Sequence, residues 1–463
     1  MKNKDILRNI PSVDKVLNWN EIKESLKILG QNHVTEIIRD NIEQYRKRLL
    51  AGEKLDLSHL KKAILFEIQD LISPYFCYAV NALGIVLHTG LGRAPFNKRI
   101  AEVVHDMSRG YSRLQIDEEG KRADRYRKIN RLLQILTGAE AGIIVNNNAA
   151  ATMLILNAMA KGKEVIVSRG QLIEIGGAYR IPDIMAQSGA TMHEIGTTNR
   201  THLKDYAGAI NENTGAILRV HQSNYRIIGF TKEVSLEELV PLARENNIPV
   251  IDDLGSGALI DFSIYGLPKE PMVQESIAAG ADVVCFSGDK LIGGPQCGII
   301  IGKKEYIEKI KKNPLTRALR CDKLTNAVLE ATLQTFLLKE EDLLLNHPVL
   351  GILLKPLDEI KKHANRCARA LKASFGSSLR VSVKPGVSEI GGGSLSTEQL
   401  PTFLVAVQSV DLPIDDLARA LRLFHKPVYG RVAEDTLLLD FRTVLKGEEK
   451  VILEAFKTVL KPI

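Results

Sequence analysis

Residues 283–300, VVCFSGDKLIGGPQCGII, put a single lysine, Lys290, on a glycine-rich bend between two short apolar runs. The run before the bend has the unbroken apolar character of a buried parallel strand, and the run after it reads as its neighbour. Lys290 then falls at a strand's carboxyl end, where open α/β sheets bind ligands. Burial and nearby cations lower a lysine's pKa and so free the amine that attacks a carbonyl. A lysine so presented is suited to forming a Schiff base. Ser287, at the same bend, offers a hydroxyl suited to a cofactor phosphate. The plainer reading of the segment is a surface lysine in a Gly-Pro loop.

Two upstream segments favour the chemical reading. Residues 250–257, VIDDLGSG, form an apolar run that meets acids and then glycines. An acid there suits a pyridinium nitrogen, because pyridoxal phosphate draws electrons from a bound amino acid only while that nitrogen keeps its proton. Asp252 is favoured over Asp253, since it follows the run directly; helix capping is the alternative role for either. Residues 143–152, IIVNNNAAAT, read as strand, polar turn and helix start. Free backbone N–H groups at such a start, here at Asn148 and Ala149, form a phosphate cup, although Asn is also an ordinary cap. The succession of cup, acid and lysine in one chain is more specific than any of the three.

That succession resembles the fold-type I pyridoxal phosphate enzymes, and within them the bacterial selenocysteine synthase (L-seryl-tRNA(Sec) selenium transferase) family. The resemblance covers nearly the whole chain. It rests on residues 81–95 (NALGIVLHTGLGRAP), 110–125 (GYSRLQIDEEGKRADR), 138–152 (GAEAGIIVNNNAAAT), 169–182 (RGQLIEIGGAYRIP), 196–199 (GTTN) and 221–230 (HQSNYRIIGF). It continues through 252–257, 287–298, 391–395 (GGGSL) and 427–443 (PVYGRVAEDTLLLDFRT). One departure is Ala123, where the family's run has glycine; nothing catalytic depends on it.

The resemblance implies a fold and a chemistry. The expected fold class is α/β, with a mainly parallel large domain, a smaller C-terminal α/β domain and a small helical N-terminal domain. Lys290 would hold pyridoxal phosphate, with Asp252, Asn148, Ala149 and Ser287 also binding it. The serine ester of tRNA(Sec) would lose its α-proton and hydroxide to give aminoacrylyl-tRNA, to which selenium from selenophosphate adds. Arg93, Arg317 and Arg320 match the family's positions for selenophosphate, whose oxygens suit planar guanidinium forks. Arg317 and Arg320 are three apart and would share a helix face; a solvated basic face is their plain alternative. Asp289 matches a family site residue with a positioning role. Thr197, Thr198 and Tyr225 match contacts between dimers, so at least a homodimer and, by resemblance, a ring of five dimers is expected.

Composition agrees. A 463-residue chain is too long for one ordinary core, and 45% hydrophobic with 25% charged residues is ordinary for a globular protein. The apolar runs are too short for a membrane span, and residues 1–10 lack an apolar signal region, which points to the cytoplasm. The five cysteines are scattered without metal-type spacing and read as free thiols, so no metal is expected; Cys297 reads as a core thiol rather than a site residue. The net charge of +7 permits an anionic partner. Residues 1–62 hold 13 Lys or Arg against 9 Asp or Glu, and Arg46, Lys47 and Arg48 end a helix with apolar periodicity. A favourable dipole contact explains such an end, but in this family the N-terminal domain recognises the tRNA. The expected partners are seryl-tRNA(Sec), selenophosphate and copies of the chain itself, with no DNA.

The expected domains are 1–65, 66–314 and 315–463. Strands are expected at 142–145, 164–168, 191–195, 216–221, 249–252, 282–286 and 298–302, and in the last domain near 380–384, 402–407 and 436–440. Helices are expected at 58–72, 303–312, 325–339 and 357–375. Strand and helix in alternation imply a doubly wound sheet. The alternative functions are a related fold-type I lyase for a free amino acid or amino sugar, which would not need the N-terminal domain, and a tRNA-binding protein with a dead cofactor pocket, which would not need Lys290.

Overall fold

The computed structural model describes residues 9–177, 179–394 and 398–460. Residues 1–8, most of the segment read as lacking a signal region, and Leu395 of the 391–395 motif lie outside the described residues. The chain forms two compact units, Met1–Tyr78 and Ala79–Ile463.

The first unit is helical, with helices Val13–Leu17, Asn20–Ser25, Gln31–Leu50 and Leu57–Ile72. Val34, Ile38, Ile42, Tyr45 and Leu49 recur at helical spacing and pack with Leu60, Ile64 and Ile68 into one core. Asp56 starts the last helix by accepting from the Ser58 and His59 N–H groups at 2.8 and 3.2 Å, which satisfies two donors that the helix leaves open. That helix belongs wholly to this unit, so the boundary falls at Tyr78 rather than near residue 65. Of the three basic residues closing the long helix, Lys47 pairs with Glu43 at 2.8 Å and Arg48 with Glu53 at 2.7 Å, while Arg46 is exposed.

In the second unit the strands are β1 (Val80–Ala82), β2 (Ala141–Val145), β3 (Glu164–Ser168), β4 (Glu174–Ile175), β5 (Tyr179–Arg180), β6 (Thr191–Ile195) and β7 (Thr214–Val220). They continue with β8 (Val250–Gly255), β9 (Val283–Ser287), β10 (Gly298–Gly302), β11 (Leu379–Glu389), β12 (Gln399–Ser409), β13 (Val428–Ala433) and β14 (Thr436–Asp440). The large sheet runs β2-β10-β9-β8-β7-β3-β6, parallel except that β10 is antiparallel to both neighbours. β2, β9 and β10 are buried at every position, which is why they read as unbroken apolar runs. Each Ile or Val side chain so buried contributes about 1.5–3 kcal/mol.

The small sheet runs β1-β13-β14-β12-β11 and packs with helices Leu357–Phe375, Ile414–Arg422 and Glu448–Val459. Its edge strand β1 comes from the start of the unit, and helix Lys323–Thr335 puts Leu329 and Leu333 into the large-sheet core. The division therefore does not follow a single cut at residue 315. Among the described residues no helix is long and apolar enough to cross a membrane.

Candidate active site

The apolar run leads to a strand, β8, expected to end at Asp252. It runs on to Gly255. Neighbouring strand residues point to opposite faces. Asp252 is fully buried on one face, where Arg219 Nη1 donates to it at 2.9 Å and Ser276 Oγ at 2.6 Å. Asp253 lies on the other face, where it accepts from Asn148 Nδ2 and Thr152 Oγ1, both at 2.8 Å, and from the Gly255 N–H at 2.9 Å. The acid beside the cup and the lysine is thus Asp253, not Asp252, whose carboxylate is committed to Arg219. Burial pushes the Asp253 carboxyl up, while bonds from Asn148, Thr152 and Gly255 and the charge of Lys290 hold it down.

Lys290 follows β9 and is 4% exposed. Burial first, then the Arg93 guanidinium, lower its pKa to about 8, against the opposing charges of Asp289, Asp253 and Glu270. At pH 7 roughly a tenth of such an amine is free, compared with about one in a few thousand for ordinary lysine. The bend is closed by its own backbone: the Gly293 N–H donates to the Lys290 carbonyl at 2.9 Å and the Gly294 N–H to that of Gly288 at 2.8 Å. Cys297 is 1% exposed, with its sulfur against Gly288.

Asp289 binds Arg93, whose Nη1 donates to both carboxylate oxygens at 3.0 and 2.8 Å. Arg93 sits at φ 62°, a left-handed conformation that non-glycine residues adopt at a cost of about 1–3 kcal/mol. Spending strain on an arginine next to a buried lysine marks a site where the guanidinium must be in one place.

Helix Asn148–Ala160 begins the opposite wall. Asn147 caps it by accepting from the Ala150 N–H at 2.8 Å, and the N–H groups of Asn148 and Ala149 find no acceptor among the described residues. Ser287 pairs across β9 and β10 with Gly298, and a Cβ on Gly298 would overlap the Asn147 carbonyl. Cross-strand partners share a face, so the Ser287 hydroxyl stands on the same side as this helix start. The Asn146 N–H donates to the Leu319 carbonyl at 2.9 Å, which ties the segment holding Arg317 and Arg320 to the turn before the cup. Both arginines are exposed there. The helix carrying Arg317 is only Leu315–Ala318, so the two do not share a continuous helical face as expected.

Sequence reasoning passed over Glu270, which lies in a loop without any motif. Its Oε2 is 3.5 Å from Nε2 of His221, the residue that follows β7. Thr197 makes a polar turn, with its hydroxyl donating to the Arg200 carbonyl at 3.0 Å, and Tyr225 donates to the Gly170 carbonyl.

The residues fit pyridoxal phosphate. A nucleophilic amine, a buried acid whose carboxyl is pushed up, and two open helix amides beside a serine match its aldehyde, ring nitrogen and phosphate. The sheet order with Lys290 at its carboxyl edge defines a pyridoxal phosphate enzyme of fold type I.

Residues 79–445 match the family described as L-seryl-tRNA selenium transferase, and residues 7–46 match its selenocysteine synthase N-terminal region. The chain is 45% identical to the L-seryl-tRNA(Sec) selenium transferase of Alkaliphilus metalliredigens (strain QYMF), over 98% of this chain and 99% of that one. It is 44% identical to the enzyme of the same name from Clostridium botulinum (strain Okra / Type B1), over 100% of both chains. Among solved structures, D-glucosaminate-6-phosphate ammonia-lyase shares the fold at a TM-score of 0.55 and 19% identity, covering 84% of this chain and 97% of that one. The chain belongs to the L-seryl-tRNA selenium transferase family.

Proposed function

We propose that this chain converts seryl-tRNA(Sec) to selenocysteinyl-tRNA(Sec), with selenophosphate as the selenium donor. The observation that carries the reading is the buried, low-pKa Lys290 set between Asp253 and the Arg93–Asp289 pair. Pyridoxal phosphate, when bound, supplies the electron sink that makes an α-proton removable. Lys290 would hold it through its aldehyde, the Asn148 and Ala149 amides with the Ser287 hydroxyl would take its phosphate, and Asp253 would keep a proton on the ring nitrogen. The Lys290 amine would serve as the base that takes the Cα proton of the bound serine. Asp289 keeps the Arg93 guanidinium oriented, and Arg93, Arg317 and Arg320 would bind the oxygens of a selenium-bearing phosphate.

The N-terminal unit is read as the second grip on the tRNA, with residues 1–78 rather than 1–65 as its extent. The protein is read as a cytoplasmic homo-oligomer, a dimer at least and a ring of five dimers by resemblance, with Thr197, Thr198 and Tyr225 at the contacts between dimers. The lyase alternative is disfavoured by relatives that match from end to end, the N-terminal unit included.

The test is to incubate the holo-protein with seryl-tRNA(Sec) and selenophosphate and identify the aminoacyl group by mass. Selenocysteinyl-tRNA(Sec) is the expected product. Turnover of free serine or an amino sugar, with none of the seryl-tRNA, would overturn the reading in favour of the lyase.

A further inference from the structure

β-Elimination needs two proton transfers, one from Cα and one onto the departing oxygen, and Lys290 accounts only for the first. We propose that His221, oriented by Glu270, donates the proton that lets the serine hydroxyl leave as water. The inference rests on the substrate reading given above.

His221 follows the last residue of β7, and its N–H donates to the Asp253 carbonyl at 2.9 Å. It therefore extends the ladder between β7 and β8 at the carboxyl edge, level with the acid that faces the site. Its Nε2 lies 3.5 Å from Glu270 Oε2, and its Nδ1 has no partner among the described residues. A carboxylate on one ring nitrogen fixes the ring and leaves the other nitrogen to work on a ligand. Glu270 is 6% exposed, and its charge also reaches Lys290, so the histidine and the lysine flank one carboxylate. Glu270, the carboxylate against His221, comes from the loop before helix Val273–Ala279. Arg219, two residues earlier on the histidine's own strand, is committed to Asp252.

The step balances without a further reactant. The Cα–H electron pair becomes the second bond between Cα and Cβ, and the α-proton goes to the Lys290 amine. The Cβ–O bond breaks with its pair going to oxygen, which takes the proton from His221 and departs as water. His221 is reprotonated from solvent.

The experiment separates the two proton transfers. Holo-protein and seryl-tRNA(Sec) are mixed in deuterium oxide without selenophosphate. Deuterium at Cα of recovered serine reports removal of the α-proton, and pyruvate from the hydrolysed acyl group reports loss of water. His221→Gln should keep the cofactor spectrum, keep or raise deuterium uptake, and lose pyruvate formation by 10²-fold or more. Glu270→Gln should show the same pattern with a smaller loss. If His221→Gln forms pyruvate at the wild-type rate, the inference is wrong. It is also wrong if exchange and dehydration fall together with a shifted spectrum, which would make His221 a support for the cofactor. A wild-type protein that neither exchanges nor dehydrates seryl-tRNA(Sec) would overturn the substrate reading, and this inference with it.

Discussion

Asp252 and Asp253 are consecutive on β8, yet Asp253 is bound by Asn148 and Thr152 of the cup helix while Asp252 is bound on the opposite face by Arg219. The two side chains therefore have different jobs, and substitutions should separate them. Asp253→Ala should lower α-proton removal by several orders of magnitude with the fold intact, as read by deuterium exchange and thermal unfolding. Asp252→Ala leaves Arg219 buried without its partner and should cost about 3 kcal/mol of stability in urea unfolding. The reverse pattern would return the ring-nitrogen role to Asp252.

Borohydride reduction of the holo-protein should fix the cofactor on the peptide that contains Lys290. Labelling of any other lysine would reject the site, and Lys290→Ala should show neither labelling nor turnover.

The Lys290 amine should gain reactivity as pH rises through about 8, since its folded pKa is lowered from 10.5 to that value. Uptake of pyridoxal phosphate by the apo-protein should follow the same midpoint. Between those two values the unfolded chain binds more protons than the folded one, so this lysine makes the apo-protein more stable as pH climbs from 8 towards 10.5. Arg93→Ala removes a cationic neighbour and should move the uptake midpoint upward. A midpoint unchanged by that substitution would mean that Arg93 does not act on Lys290.

Arg317→Ala and Arg320→Ala should leave cofactor and seryl-tRNA binding unchanged and impair selenium transfer, measured with excess and limiting selenophosphate. Loss of cofactor in either variant would make these side chains part of its binding site. Arg93→Ala should impair transfer as well, with the added shift in Lys290.

Removing residues 1–78 should leave the cofactor spectrum unchanged and abolish tight tRNA(Sec) binding, and full-length binding should weaken as salt rises. Charge reversal at Arg46 should matter more than at Lys47 or Arg48, because each of the latter already faces an acid. Wild-type affinity in the truncated protein would put the grip on the catalytic unit.

Mass in solution should exceed that of a dimer, and bulky charged replacements at Thr197 and Thr198 should reduce it to a dimer. A stable wild-type dimer would reject the ring.

The sequence by itself determined the family, the large sheet and the bend that carries Lys290. Unbroken apolar runs such as 298–302 read as buried strands, and glycines 288, 293 and 294 as a bend, so Lys290 and the Asn148 turn were legible as local chemistry. The family resemblance pointed to Arg93 and Asp289, though not to their pairing across 196 residues of chain. What only the tertiary structure decided is facing and partnership. A strand's alternation is fixed by its hydrogen-bonded register, so which of two adjacent acids faces Asn148 and Thr152 depended on the pairing of β8. The small sheet likewise takes β1 from a distant part of the chain, and Glu270 meets His221 through a loop with no motif, because such contacts are set by packing between segments rather than by any order within them.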